Sequence, residues 1–350
     1  MLIKFTHVLS STLLCLSVSF AYAQSVPRDS AVHVLDEVII PSNRLKNFAT
    51  GSKIEEIDST VLVQNSNNTL ADLLASQTQV FVKSYGIAGL SSPSFRGTNA
   101  SQTAIVWNGF NLGSPMNGQL DLALLPVNFA NNVKIQFGGA GALWGSGAVG
   151  GTVHLNNKPA FNKGISVNSS SSIGSFGDRQ QNLEFSYSKK RFISVTKLFY
   201  HEARNNFSFQ DNTGVLKTTR TLNNAEIFQK GFMQELYYKI NAYQNLSLRF
   251  WYQTNNRNIP ASISANDSKA NQKDDAVRTT IEWQRIKTKI SYFARAAYFD
   301  EKLNFTDPGI FLVSNSQSKA FISEAEAKIN ITELQLLNVE IGRASCRERV

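Results

Sequence analysis

From about Gly164 onward the chain alternates between apolar and polar residues, stretch after stretch, with many Phe, Tyr, Ser and Thr. Leu183, Phe185 and Tyr187 are separated by Glu184 and Ser186. Leu246, Leu248, Phe250 and Tyr252 are separated by Ser247, Arg249 and Trp251, the last of which interrupts the polar side. A period of two sends successive side chains to opposite faces of a sheet. The stretches are long enough for the roughly 9–11 residues with which a strand crosses a bilayer. The connections alternate too: 188–191, 241–245 and 285–288 are tight, whereas 205–230, 258–275 and 304–318 are long. Tight turns at one end and long loops at the other are the arrangement of an outer-membrane β-barrel, with the Lys-rich turns toward the periplasm and the long loops outside. The competing architecture, a soluble β-sandwich, predicts strands near six residues and connections of similar size at both ends. Whether Trp251 and Tyr252 face the lumen or an aromatic girdle is open at this level.

The first residues have the layout of an export signal. Lys4 supplies a positive start, residues 8–20 are apolar, and Ala21-Tyr-Ala23 precedes Gln24 as a small-residue cleavage site. The apolar run is shorter than the roughly 20 residues of a spanning helix. Cys15 lies within it behind Leu14, which does not fit a lipid-attachment motif, and Cys346 is the one cysteine that remains after cleavage. No disulfide framework can therefore hold the exported chain together. No later segment is a long uncharged run, so the route into a membrane is the closed barrel, in which every backbone polar group is paired. The net charge of +9 is scattered along alternating segments, without the basic helix or stripe of a nucleic-acid partner.

Between arm and barrel lies a different texture. Residues 24–50 are polar, with one β-prone run, Val38-Ile-Ile40, behind Asp36-Glu37 and ended by Pro41. Residues 51–157 form a small α+β unit. Thr69 and Asp72 have capping-box spacing, and Leu70, Leu73 and Leu74 give the helix that follows an apolar face. Residues 79–85 alternate as a strand. Asn108-Gly109 between two apolar runs predicts a hairpin with a type I′ turn. The unit ends in a glycine-dense stretch, 136–156, whose β-rich flanks argue for close backbone packing and not for a linker.

Four fragments, in order, resemble the TonB-dependent outer-membrane transporters, and the likeness runs over nearly the whole exported chain. Asp36-Glu-Val-Ile-Ile40 looks like a TonB box. Ser94-Phe-Arg-Gly-Thr-Asn-Ala-Ser101 matches the family's plug segment around Arg-Gly-Thr. Ile105-Val-Trp-Asn-Gly109 stands where the family has an apolar strand ending in Asp-Gly. Ala142-Leu-Trp-Gly-Ser-Gly-Ala-Val-Gly-Gly151 is close to the family's plug ending. Within the family, Leu90-Ser-Ser92 followed by residues 96–101 is most similar to the cobalamin (vitamin B12) transporters. The resemblance implies an α+β plug inside a transmembrane antiparallel β-barrel, 22-stranded in such receptors, of which about nine strands fit this sequence. The expected organisation is a signal peptide at 1–23, an arm with the TonB box at 24–50, a plug at 51–157, the N-terminal part of the barrel at 164–342 and a tail at 343–350. That tail lacks alternation and resembles adapter read-through, so the expectation is a non-native end to a chain that continues.

The implied function is uptake of a scarce ligand, cobalamin first, with a ferric siderophore as the alternative and a non-transporting adhesin or structural barrel as a third reading. The implied partners are TonB with its inner-membrane ExbB/ExbD complex, the small-molecule ligand and outer-membrane lipid. Residues Asp36, Glu37, Val38, Ile39 and Ile40 would join TonB by strand addition. Leu90, Ser91, Ser92 and Asn99, by resemblance, and Tyr85, Met116 and Asn117, beside glycine-rich apical loops, are the candidate ligand contacts. The competing role for these serines and asparagines is turn backbone satisfaction. Arg96 is expected to be buried and hydrogen-bonded, a structural residue of the plug. Gly97, Asn108, Gly109, Gly145, Gly147, Gly150 and Gly151 are expected to set backbone geometry. Two departures stand out: Phe137-Gly-Gly139 replaces the family's Arg-Gly-Pro, so its plug-locking salt bridge is not carried over, and Asn108 replaces Asp. No catalytic set, cofactor or metal set is expected. His33, His154 and His201 lack ligand spacing, and Asp267, Asp274 and Asp275, read as a solvated external loop, do not have EF-hand spacing.

Overall fold

A computed structural model describes residues 51–349, except 88, 115, 117, 119, 146, 214–216, 264–266 and 333–334. The expected signal peptide and the arm with residues 36–40 lie outside the described residues, as does Asn117.

The first part of the chain contains β1 (Lys53–Glu56), α1 (Ser59–Gln64), α2 (Leu70–Gln77), β2 (Phe81–Ser84), β3 (Ser91–Ser94), β4 (Thr103–Trp107), β5 (Phe110–Asn111), β6 (Asn132–Phe137), a single turn α3 (Gly141–Trp144) and β7 (Gly151–Asn156). The main sheet runs β1-β6-β7-β4-β5, and β2 with β3 forms a separate ribbon. β4 and β7 pair in parallel, and all five residues of β4 are buried. Such enclosure on both faces suits a parallel pair. The capping box at Thr69 and Asp72 is present, and Leu70, Leu73 and Leu74 of α2 are buried as the spacing predicts. Asn108 and Gly109 both take positive φ, 46° and 92°, as the type I′ hairpin requires.

The second part is a nine-stranded antiparallel meander. Its strands are β8 (Gly164–Ile173), β9 (Arg179–Ser188), β10 (Phe192–Ala203), β13 (Ile227–Asn241), β14 (Gln244–Ile259), β15 (Ala270–Arg285), β16 (Ile290–Asp307), β17 (Leu312–Asn330) and β18 (Leu336–Arg349). A side hairpin, β11 (Ser208–Asp211) with β12 (Thr218–Thr221), stands in the connection between β10 and β13. The sheet is a piece of barrel wall. Its alternation is strict around Trp251: Ser247, Arg249, Trp251 and Gln253 are buried toward the plug, whereas Leu248 and Tyr252 are exposed on the other face. Trp251 therefore faces the lumen side. Among the described residues, no helix is long and apolar enough to cross a membrane.

The strand count of nine agrees with the sequence pattern, but three connections differ. The expected loop at 304–318 is a four-residue turn, because β16 and β17 keep their ladder as far as Asp307 and Leu312. The expected loop at 258–275 shrinks to 260–269, which puts Asp274 and Asp275 inside β15. The connection at 205–230 carries its own hairpin, and β13 begins at Ile227. Backbone pairing continues in all three where side-chain alternation has faded. The same holds for the tail, whose residues as far as Arg349 pair with β17 although their side chains are exposed.

Candidate ligand-binding cavity

A cavity of about 480 Å³ opens at the end of the wall that carries the longer connections. The plug supplies its floor, through Tyr85 and Leu90 from the β2–β3 loop and Met116, Leu120 and Asp121 from the segment after β5. The wall supplies its side, through Asn255 and Arg257 of β14, Asp274 and Arg278 of β15, and Glu301 of β16. Apolar surface with a few convergent polar groups is the usual make-up of a small-molecule site.

Asp121 organises the floor. It caps the 3₁₀ turn Leu122–Leu124, with Oδ1 accepting from Ala123 N at 3.0 Å and from Ser91 N at 2.9 Å. Oδ2 accepts from Arg257 Nη1 at 2.6 Å, and the same Nη1 reaches Gly89 O at 3.4 Å. One carboxylate thus ties two apical segments of the plug to each other and to the wall. Arg278 donates to Glu301 Oε1 from Nη2 at 2.6 Å and from Nε at 3.0 Å. Its guanidinium also lies 4.7 Å from the centroid of the Trp251 ring. Charge-assisted bonds of this kind are the strong ones.

Below the cavity the plug is stitched to the wall. Trp251 meets Trp107 edge-on at 5.3 Å and Phe129 at 5.5 Å, and Phe129 meets Phe199 at 5.2 Å. These rings belong to one apolar core shared by plug and wall. Around it run polar stitches. Gln253 donates to Leu124 O. The buried Lys197 donates to Asn128 O at 3.0 Å and to Asn131, and lies 3.4 Å from Glu184. At the exit of the plug, Asn157 donates from Nδ2 to Glu235 at 2.5 Å and to Phe129 O at 3.0 Å, while its N–H donates to Asn108 Oδ1 at 2.9 Å. Arg295 of the wall sits over Phe110, 5.7 Å from the ring centroid, and a Cβ on Gly109 would stand 2.9 Å from its Nη1. The plug–wall locks therefore arise from Arg257, Lys197, Glu235 and Arg295 on the wall, none of which is marked by a local motif.

Of the sequence candidates, Tyr85, Leu90 and Met116 come together around the cavity. Ser91 and Ser92 do not line it; they are buried in β3. Asn99 is exposed and caps the 3₁₀ turn Ala100–Gln102, where its N–H donates to Gln102 Oε1 at 3.1 Å. Arg96 departs from expectation: it is exposed, and its neighbour Phe95 is the buried one. Its contribution is backbone shape, since Arg96 and Gly97 both have positive φ, 49° and 83°, within the turn closed by Thr98 N donating to Phe95 O at 3.0 Å. That turn explains two of the glycines. A Cβ on Gly150 would lie 2.4 Å from Thr98 Oγ1, and one on Gly151 would lie 2.5 Å from the Phe95 ring. Gly145 has φ 90°, and a Cβ on Gly147 would lie 3.3 Å from Ser101 O. Sequence reasoning missed Asp121, Asn255, Arg257, Arg278 and Glu301, and placed Asp274 in an external loop instead of a wall strand. Their cavity forms by pairing of distant strands, and the only trace in sequence is polar character on the inward set of β14 and β15.

His154 of β7 is buried beside Trp144, with ring centroids 4.9 Å apart. Burial, and to a lesser degree Lys134 across the ladder, pushes its imidazole down to about 3, so it is neutral at ordinary pH. Among the described residues no group of three or more His, Cys, Asp or Glu is placed to hold a metal ion.

Residues 46–152 match the family model of the TonB-dependent Receptor Plug Domain. Among curated proteins, the chain is similar to a vitamin B12 transporter BtuB of Vibrio vulnificus, 27% identical over 146 residues, which is 41% of this chain and 23% of that protein. A BtuB of Photobacterium profundum is 28% identical over 139 residues, 38% of this chain and 22% of that protein. The chain thus matches less than a quarter of the length of these relatives. Among solved structures, the siderophore receptor PiuA from Acinetobacter baumannii superposes with a TM-score of 0.63 at 14% identity, over 85% of this chain and 46% of that one. The ferric-catecholate import receptor Fiu from Escherichia coli K12 gives 0.64 at 12% identity, over 84% and 49%. At these identities the likeness is one of fold.

Proposed function

We propose that the chain is a TonB-dependent receptor that binds a scarce ligand, cobalamin first, at the outer face of its plug for passage into the periplasm. The observation that carries this reading is the cavity itself. Plug loops form its floor, wall strands form its side, and it lies at the long-connection end, which faces outward in outer-membrane barrels. Tyr85, Leu90 and Met116 contact the ligand from the plug, with Asn255 and Asp274 opposite on the wall.

An outer membrane has no ATP and no ion gradient of its own, so work must arrive from the inner membrane. Residues Asp36–Glu–Val–Ile–Ile40 are the proposed docking strand for TonB, joined by main-chain hydrogen bonds, with ExbB/ExbD behind it. The plug–wall stitches at Asn157, Lys197 and Arg257 are the contacts such a pull must loosen. The choice of cobalamin leans on relatives that bear vitamin B12 names. The fold alone does not select a cargo, because siderophore receptors and a copper transporter share it.

Uptake of labelled cobalamin and of ferric siderophores by cells expressing the gene, with and without residues 38–40, tests the reading. Cobalamin accumulates in the parent. The deletion keeps surface binding and abolishes accumulation. Undiminished accumulation after the deletion overturns the coupling, and siderophore accumulation without cobalamin uptake overturns the cargo.

A further inference from the structure

The next inference rests on the receptor reading and concerns the chemistry of the ligand. Both guanidiniums that reach the cavity are already committed to buried carboxylates, Arg257 to Asp121 at 2.6 Å and Arg278 to Glu301 at 2.6 Å. Asp274 is the carboxylate left over. Its two oxygens accept from the side-chain amide of Gln272, at 3.1 Å each. Strand parity fixes which charges share its side of the wall. Asp274 is the register partner of Asn255, two residues along β14 from the buried Gln253, so it belongs to the plug-facing set with Arg278. Asp275 alternates to the other face, where Lys273 lies 3.3 Å from it and Lys302 is its register partner. Lys273 is thus turned away, while Asp275 and Lys302, register partners of opposite charge, reach the rim of the cavity. Around the cavity stand four carboxylates, Asp121, Asp274, Asp275 and Glu301, and three cations, Arg257, Arg278 and Lys302, and the excess is one negative charge.

We propose that Asp274 is a ligand-recognition carboxylate, accepting hydrogen bonds from amide or ammonium N–H groups of a ligand that carries no net negative charge. A half-buried carboxylate without a cationic bond partner gains most from a donor brought by the ligand. A polyanionic chelate would meet Asp274 unscreened, or would have to break one of the two buried pairs to obtain a guanidinium. A neutral corrinoid ringed by amides fits this chemistry, with the apolar side of Leu90, Met116 and Leu303 against its non-polar faces. A cationic ferric trihydroxamate fits the charge. A trianionic ferric tricatecholate does not.

The test measures equilibrium binding of these three probes to outer-membrane preparations from cells expressing the gene, against preparations from cells that lack it, at low salt. Folding of each variant is checked by protease resistance of the plug. The parent is expected to bind the corrinoid or the trihydroxamate at least about tenfold more tightly than the tricatecholate. Asp274→Lys should narrow or invert that order by about tenfold. Asp274→Asn, which keeps an acceptor oxygen, should cost the cation more affinity than the corrinoid. Tighter binding of the trianion by the parent, or an order unmoved in Asp274→Lys, overturns the assignment while leaving the receptor reading intact. Binding of none of the probes by protease-resistant parent overturns the receptor reading, and this assignment with it.

Discussion

The carboxylate of Asp121, on the plug, and the guanidinium of Arg257, on the wall, meet at 2.6 Å with both side chains almost fully withdrawn from solvent. The pair joins two bodies that the chain builds from segments 136 positions apart. Asp121 spends its other oxygen on Ser91 N and Ala123 N, so the ion pair is also the place where the floor of the cavity is held in shape. The family's usual arginine before the plug ending is absent here, and this pair supplies a plug–wall lock from a different part of the plug.

Removing one partner strands the other. Arg257→Ala leaves a buried carboxylate with two backbone donors and no countercharge, and should weaken plug docking by about 3–5 kcal/mol. The paired change Asp121→Asn with Arg257→Met removes the stranded charge and should recover a large part of that loss. The measurement is the denaturant concentration at which protease begins to cut the plug. Equal sensitivity of the single and paired variants would show that the pair is not a lock.

Close backbone approach at the plug ending gives a second prediction. A Cβ at residue 150 would stand 2.4 Å from Thr98 Oγ1 and 2.8 Å from its Cγ2. Gly150→Val should therefore misfold or destabilise the plug by at least the roughly 1–3 kcal/mol of an overpacked core. In Gly150→Ala the clash is chiefly with the Thr98 hydroxyl and methyl, so adding Thr98→Ala should relieve most of the defect. Display of protease-resistant protein at the cell surface reports both steps. A Gly150→Ala phenotype that ignores residue 98 would remove the steric explanation.

Acid should loosen the plug through His154. Unfolded, the imidazole takes a proton near pH 6.5, whereas in the folded plug burial and Lys134 hold that event down to about pH 3. Between these limits the unfolded state binds more protons, so stability falls as pH drops, by up to about 1.4 kcal/mol per pH unit. Measured between pH 6.5 and 5, where most carboxylates stay ionised, the slope should become shallower in His154→Phe by up to that amount. Retention of the full slope in that variant would assign it to other groups.

How far the sequence leads is clear from particular residues. Thr69 and Asp72 announced their capping box, Asn108-Gly109 its hairpin, and the alternation around Leu248 and Phe250 its wall strand, because each depends on local geometry. The turn at 308–311 was hidden. Residues 314–318 are all polar, so alternation fades at Asn315 and Ser316 while the backbone ladder continues. Asp274 was read as loop for the same reason. Arg96 was read as buried because an arginine before glycine in a packed unit suggests a fixed side chain; what is fixed is its backbone, at φ 49°. The cavity was half legible. Tyr85 and Met116 sit beside glycine-rich apical loops that composition points to and Leu90 is reached by resemblance, but Arg257 and Arg278 owe their role to register between strands, which no local pattern carries.

Trp251 and Tyr252 are adjacent, and the wall gives them opposite surroundings. Trp251 is 1% exposed and packs edge-on against Trp107 and Phe129 of the plug, with Arg278 over its ring. Tyr252 is 38% exposed on the far face of the same strand. Trp251→Ala opens a cavity in the core that plug and wall share, and should weaken plug docking by about 3–5 kcal/mol. It should also release Arg278, whose remaining partner is Glu301, and so raise the protease sensitivity of the cavity floor. Tyr252→Ala removes surface that the plug never touches, and plug docking should stay within about 0.5 kcal/mol of the parent. Paired denaturant–protease profiles of the two variants decide the matter: similar losses from both would mean that plug and wall do not share the core described here.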